Sequence, residues 1–292
     1  LTINDAVREG GRLTQRDRQV IALLADHQVA TAEQLARVAF PNPVRARCRL
    51  VLLAQRGVLA RFRPYQRPGS MPYHYALGTL GAMLHAAAAG ASIPTPATTE
   101  RNLVRLSQSR TLDHTRGVVE FFTLLHATAR RTPGATLDLW CNETTAAEAC
   151  IGIVRPDGIG QWTEHTPAGS RTVGFLYEHD TGTEPLRVLL DKIGKYGELG
   201  AAGNVRPVLI QFPNPARETN LHRAIRERYG PAGPAAVFLA TTNTAQITAL
   251  GDPVGPVWTP VDRYAGRYRL TALPGYRGRL NPSNPLDLFD RA

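Results

Sequence analysis

Lysine is almost missing from this chain. Of its 34 basic residues, 32 are arginine, and the two lysines, Lys192 and Lys195, stand three positions apart. Arginine stays charged under nearly all conditions, whereas lysine can give up its proton when its surroundings lower its pKa. A pair of lysines kept at one spot marks a place where a point charge or a titratable amine has a use. Cysteine is also scarce. Cys48, Cys141 and Cys150 are odd in number and form no C-x-x-C pair, so neither a disulfide framework nor a zinc knuckle is indicated. No apolar run approaches the roughly 18 residues that a membrane span needs. The opening LTINDAVREGGRL lacks the basic-then-apolar pattern of a secretory signal. GxGxxG and Walker A patterns are missing, which speaks against nucleotide hydrolysis, and no G-x-S-x-G elbow supports a serine hydrolase. These absences lead to the expectation of a soluble protein in a reducing cytoplasm, with no membrane partner.

What is present fits two domains. A chain of 292 residues can bury two separate cores, and its 43% apolar and 20% charged content is that of a globular protein. The net charge of +10 favours a polyanionic partner, nucleic acid before anionic membrane.

The first domain is expected over residues 10–86. Thr14 precedes a helix with apolar positions Val20, Leu23 and Leu24 at helical spacing. Thr31-Ala-Glu-Gln34 is a capping box that starts a second helix ending near Phe40. Asn42-Pro43 opens a third, closed by Gly57. Two short strand-like runs around a Pro-Gly turn follow, which completes the order of a winged helix-turn-helix. Residues 1–80 hold 12 arginines against 5 acids. Arg45, Arg47 and Arg49 lie on the third helix, with Arg45 and Arg49 four apart on one face, while Arg61, Arg63 and Arg67 decorate the wing. Such residues suit base edges in the major groove and phosphates of double-stranded DNA. The plainer reading is a solvated basic face.

Residues 87–105 read as a connector, because AAAAGASIPTPATTE is low in complexity and carries two prolines. The second domain is expected over residues 106–275. An amphipathic helix over 112–131 leads to strands at 135–140, 150–157 and 171–180. A helix over about 184–200, a strand at 207–212, a helix over 217–230 and a strand at 235–242 follow. This αβββαβαβ order implies a mixed sheet covered on both faces. Residues 276–292 form a Pro/Asn-rich tail whose PLDLF, 285–289, is similar to the short peptide by which bacterial proteins bind the replication clamp, without its leading glutamine.

The chemistry concentrates between Ile151 and Leu199, in RPDG, FLYEHD and LLDKIGKYGEL. Along a strand Glu178 and Asp180 share one face and His179 takes the other. On the next helix, Leu186, Leu189, Leu190, Ile193 and Gly197 form the buried stripe. Lys192 and Tyr196, four apart, flank that stripe, and Lys195 lies opposite it. Lys192 is thus the lysine placed to reach the carboxylates, Lys195 is a solvated residue or a phosphate contact, and Tyr196 is a packed aromatic with its hydroxyl at the site edge. Asp157, Glu178 and Asp180 at the ends of strands suit Mg²⁺ or Mn²⁺, with a nearby amine stabilising developing charge on a phosphodiester. The plainer alternative has Asp157 capping a turn and the other two acids forming a surface patch.

The PD, E-x-D and αβββαβ pattern resembles the PD-(D/E)XK nuclease-like superfamily. The longer combination of winged helix, linker, His114 and Glu120 on the first helix, RPDG, FLYEHDTGTE and K-x-x-K-Y resembles the replication-relaxation proteins of plasmids and mobile elements. That group is similar in architecture to the MobC class of conjugative relaxases. The resemblance implies an α+β fold, a winged helix followed by a nuclease-like domain, with metal-dependent nicking of one strand at a plasmid origin and no tyrosine nucleophile. It assigns Asp157 to the aspartate of the PD element and Glu178 to the first acid of (D/E)XK. Asp180 stands where that motif has lysine, so Lys192 would supply the amine from the helix, and Lys192-x-x-x-Tyr196 has the spacing of a Q-x-x-x-Y element. His114 and Glu120 are left as possible support for the site.

The leading expectation is therefore a plasmid or integrative-element protein that binds an origin-like site in duplex DNA and nicks it with a divalent ion. Conjugation or replication proteins are its candidate partners. The rival is a replication accessory or repressor that binds DNA through a nuclease fold without cutting, and the weakest option is a defence-type nuclease.

Overall fold

The computed structural model describes residues 2–64, 69, 71–167, 169–204, 206–231, 233–261 and 266–273. It is a mixed α/β structure of two compact units, Leu1–Thr123 and Leu124–Ala292. Arg67 and the tail with its PLDLF lie outside the described residues.

In the first unit, local capping chemistry sets the helix starts. Thr2 begins α1 (Ile3–Gly10), Thr14 begins α2 (Gln15–His27), and Thr31, at the end of β1 (Ala30–Thr31), begins α3 (Ala32–Ala39). Each threonine accepts a hydrogen bond from the backbone N–H three residues on, and Asp5, Asp17 or Gln34 reaches back to complete a capping box. Asn42 caps α4 (Pro43–Gln55), with Pro43 in the first turn, where its missing N–H costs nothing. The hairpin strands are β2 (Leu59–Phe62) and β3 (His74–Leu77). Both pairings of β3 are antiparallel, which gives the sheet order β1-β3-β2. Leu50 and Leu53 of α4, and Val58 just beyond it, are fully buried.

Beyond the hairpin come α5 (Thr79–Ala88), α6 (Pro96–Ser107) and α7 (Leu112–Arg131). Most of α6 falls where a connector was expected. Pro96 is the first-turn proline of a helix that Thr95 caps through the Thr98 N–H, so here proline starts a helix instead of marking a linker. The division into units falls within α7.

The second unit is built on a six-stranded sheet. Its strands begin with β4 (Ala135–Cys141), followed by α8 (Glu143–Ala149), then β5 (Gly158–Thr166) and β6 (Gly169–His179). Then come α9 (Leu186–Ala201), β7 (Val208–Phe212), α10 (Pro215–Tyr229), β8 (Leu239–Asn243), α11 (Thr244–Leu250) and β9 (Thr259–Pro260), with a 3-10 turn at Leu270–Ala272. The order is β4-β5-β6-β7-β8-β9. Strands β4 to β6 are antiparallel, β6 to β8 run parallel, and β9 is antiparallel to β8.

The strand expected at 150–157 is a correction. Those residues form the C-cap of α8 and an irregular turn, and the strand is the following stretch, Gly158–Thr166. Cys150 and Val154 are apolar because they pack under α8, whereas the glycines and polar residues of GIGQWTEHT hid a strand that nine consecutive pairings to β6 define. Helix α8 itself went unread.

One face of the sheet carries Ile159, Leu176, Val208, Ile210, Phe212 and Leu239. Against it pack Ala146 and Ala149 of α8, Ile193, Tyr196 and Leu199 of α9, and Leu221 and Ile225 of α10. The opposite face buries Trp162, Val173, Phe175, Tyr177 and Leu209. Helix α9 seats closely because Gly200 has no side chain: a Cβ there would lie 1.7 Å from the Ala236 carbonyl oxygen.

Candidate functional site

Strand pairing brings the first two site residues together. Gly158 pairs with Tyr177, so continuing the antiparallel register by one residue sets Asp157 opposite Glu178 on the same face. Two hydrogen bonds hold Asp157 there. Its N–H donates to the Tyr177 carbonyl at 3.0 Å, and its Oδ2 accepts the His179 N–H at 2.7 Å. Glu178 is only 5% exposed, at the carboxyl end of β6, where the parallel half of the sheet begins. Ligands of open α/β sheets bind at that end of the strands.

Helix α9 supplies the rest. Lys192 donates from Nζ to Glu178 Oε2 at 2.7 Å, and the Tyr196 hydroxyl donates to Glu178 Oε1. The spacing of four, read across a flank of the helix, thus delivers both groups to one carboxylate. Lys195 is exposed.

Burial, first, and then the neighbouring Asp157 push the Glu178 carboxyl up to about 8, against the opposing pull of Lys192 and Tyr196. For Lys192, burial works against the charge, but Glu178 and Asp157 outweigh it and raise the pKa. Burial and the same carboxylate hold the Tyr196 phenol well above its usual value, so it stays a donor. Burial also pushes the nearby Cys150 thiol up to about 11, which keeps it protonated and poorly nucleophilic. One ammonium faces two carboxylates, and near neutral pH the surplus negative charge is met by a proton on Glu178.

Asp180 is placed elsewhere. Strand β6 ends at His179, so the alternation that gave Asp180 the face of Glu178 stops one residue too soon. Arg217, in the first turn of α10, takes the Asp180 carboxylate with Nε at 2.5 Å and with a second nitrogen at 3.1 Å. The Gly182 N–H donates to it as well, and Arg217 reaches on to the Glu184 carbonyl. The expected group of three carboxylates is thereby reduced to Asp157 and Glu178, and among the described residues no three His, Cys, Asp or Glu side chains gather as a metal site. Nothing around Arg217 marks it in the sequence beyond its place three residues after the Asn214 cap.

Glu120 belongs to the first unit. It accepts hydrogen bonds from Arg37 at 2.5 Å and from Gln34 at 2.9 Å, fastening α3 to α7. His114 lies half-buried near the start of α7.

The arginines of the first unit divide by partner. Arg49 forms a two-pronged pair with buried Asp17, at 2.9 and 2.6 Å, and so ties α4 to the capping box of α2 instead of sharing an open face with Arg45. Arg37 and Arg56 are likewise paired, with Glu33 and Glu120 and with Glu9. Arg45, Arg47, Arg61 and Arg63 are exposed and have no acidic partner among the described residues. These four remain as the candidate contacts for an anionic partner.

A family model described as Replication-relaxation matches residues 21–213, a span that includes Asp157, Glu178, Lys192 and Tyr196. No curated protein and no solved structure matches the chain. No helix among the described residues is long and apolar enough to cross a membrane.

Proposed function

The chain belongs to the replication-relaxation family, and on that premise we propose that it acts on plasmid or integrative-element DNA in the cytoplasm, binding an origin-like duplex site and nicking it. The observation that carries this reading is the buried Glu178, shared by Lys192 and Tyr196 and set opposite Asp157 at the end of β6. In this reading the first unit is a winged helix that binds through Arg45, Arg47, Arg61 and Arg63, and the second is a PD-(D/E)XK-like nuclease similar to MobC-class relaxases.

The donor set fits a divalent cation. Mg²⁺ is commonly held by one or two carboxylates, with substrate phosphate and water completing its shell, and Asp157 and Glu178 would supply two, the ion taking the place of the proton on Glu178. Mg²⁺ or Mn²⁺ held there would polarise the phosphodiester and lower the pKa of the attacking water. Lys192 sets a fixed positive charge beside the anionic phosphate. Tyr196 keeps Glu178 turned towards the site, and Glu178 holds or releases a proton close to neutral pH.

The test uses supercoiled plasmid carrying the element's own origin, with and without Mg²⁺ or Mn²⁺. Metal-dependent open circles are expected, lost in Asp157→Ala and Glu178→Ala and reduced by roughly 10²-fold or more in Lys192→Ala. A second reading, a DNA-binding accessory or repressor that does not cut, draws on the commitment of Asp180 to Arg217. Tight, salt-sensitive binding with no product under any metal would establish that reading and overturn nicking. Linear products from unrelated plasmids would point instead to a defence-type nuclease.

A further inference from the structure

Two exposed guanidiniums of the first unit share one aromatic ring. Arg61 lies 4.8 Å and Arg63 4.2 Å from the centroid of Tyr73, which is itself 39% exposed. The backbone explains the meeting. Arg61 and Arg63 are two apart along β2 and its continuation, so their side chains leave the same face. Phe62 pairs with His74, so extending the register one residue further sets Tyr73 opposite Arg63 and diagonal to Arg61. Two like charges brought this close repel each other, and neither has an acid among the described residues to relieve it. Attraction to the ring face is what holds them together. By contrast, other arginines of this unit, such as Arg37, Arg49 and Arg56, are neutralised by acids.

We propose that Tyr73 is a positioning residue that holds Arg61 and Arg63 as a preformed clamp for two neighbouring phosphates of a DNA backbone. This rests on the DNA-binding part of the function proposed above and adds to it the residue that organises the contact. With both distances laid end to end, the guanidiniums are at most about 9 Å apart, a span comparable to successive phosphates of one strand. Two long side chains ordered in advance lose less entropy on binding, and the ring does this without neutralising either charge, as a carboxylate would.

The experiment measures full-length protein binding to a labelled duplex carrying the element's own origin by fluorescence anisotropy, over 50–200 mM salt. Four forms are compared: wild type, Tyr73→Phe, Tyr73→Leu and the double variant Arg61→Ala/Arg63→Ala. Tyr73→Phe keeps the ring and is expected to bind within about twofold of wild type. Tyr73→Leu keeps both charges but is expected to bind roughly 3- to 10-fold more weakly. Its salt slope should be shallower by about one to two, approaching that of the double arginine variant. Tyr73→Leu with the affinity and slope of wild type overturns the clamp while leaving DNA binding intact. Tyr73→Phe as weak as Tyr73→Leu overturns it too, since the hydroxyl and not the ring would then matter. A wild type that binds no duplex at any salt removes the clamp and the DNA-binding reading together. Thermal melts of each variant separate loss of contact from loss of fold.

Discussion

At Glu178 a single side chain couples the site to folding. Its carboxyl titrates near 4.5 in an unfolded chain and near 8 in the folded one. Below the first value both states hold the proton. Between the two, the unfolded chain releases it while the folded chain keeps it, so stability from this group falls as pH rises and the full penalty stands above about 8. Glu178→Gln removes that dependence. Urea unfolding at pH 5, 6.5 and 8 should show the variant gaining on wild type as pH rises, and a constant difference would refute the raised pKa. Ile151 shows strain at the same scale. It ends α8 with φ of 47° and a β-branched side chain 60% exposed, where glycine is usual. Ile151→Gly is expected to stabilise the protein by about 0.5–1 kcal/mol in urea melts, since a side chain costs roughly 1–2 kcal/mol in that conformation and glycine gives part of it back in chain entropy.

Among the elements, the packing of α4 on α2 turns on one ion pair. The Asp17 side chain is 1% exposed, and its pKa is lowered because Arg49 and Thr14 outweigh the cost of burial. Arg49→Ala leaves that carboxylate buried without its partner and is expected to cost about 3 kcal/mol. Arg45→Ala, on an exposed side chain of the same helix, should change stability by under about 0.5 kcal/mol. The pair also sets a pH limit. A lowered Asp17 pKa adds stability above about 3.8 that is lost as pH falls through the folded value, so wild type should lose its advantage over Arg49→Ala in strong acid. Comparable urea midpoints for the two variants at pH 7 would refute the structural role of Arg49. The same logic accounts for Asp180, which Arg217 holds to the start of α10.

For the whole molecule, the count of 34 basic residues overstates what a partner can meet, because many arginines are already paired with acids within the chain. Arg45, Arg47, Arg61 and Arg63, each without an acid among the described residues, predict a salt slope of about −3 to −4 for duplex binding if all four reach phosphates. Anisotropy titrations would measure it. A slope near zero would argue that this basic face does not meet DNA.

Much of the architecture was legible in local chemistry. Threonine and asparagine caps and the first-turn Pro43 fix where α2, α3 and α4 begin, because those signals act within a few residues, whereas periodicity alone set the starts of α9 and α10 two residues off. Period-two alternation put Glu178 on its face, and helical spacing chose Lys192 over Lys195, since both follow from backbone geometry alone. Interactions distant along the chain were not legible. Nothing near Gly158 announces β5, which exists because β6 pairs with it and thereby sets Asp157 opposite Glu178. Nothing near Asp180 or Arg49 names Arg217 or Asp17, separated by 37 and 32 positions. Local pattern states which face a side chain takes, but which charge waits there depends on the rest of the chain folding against it.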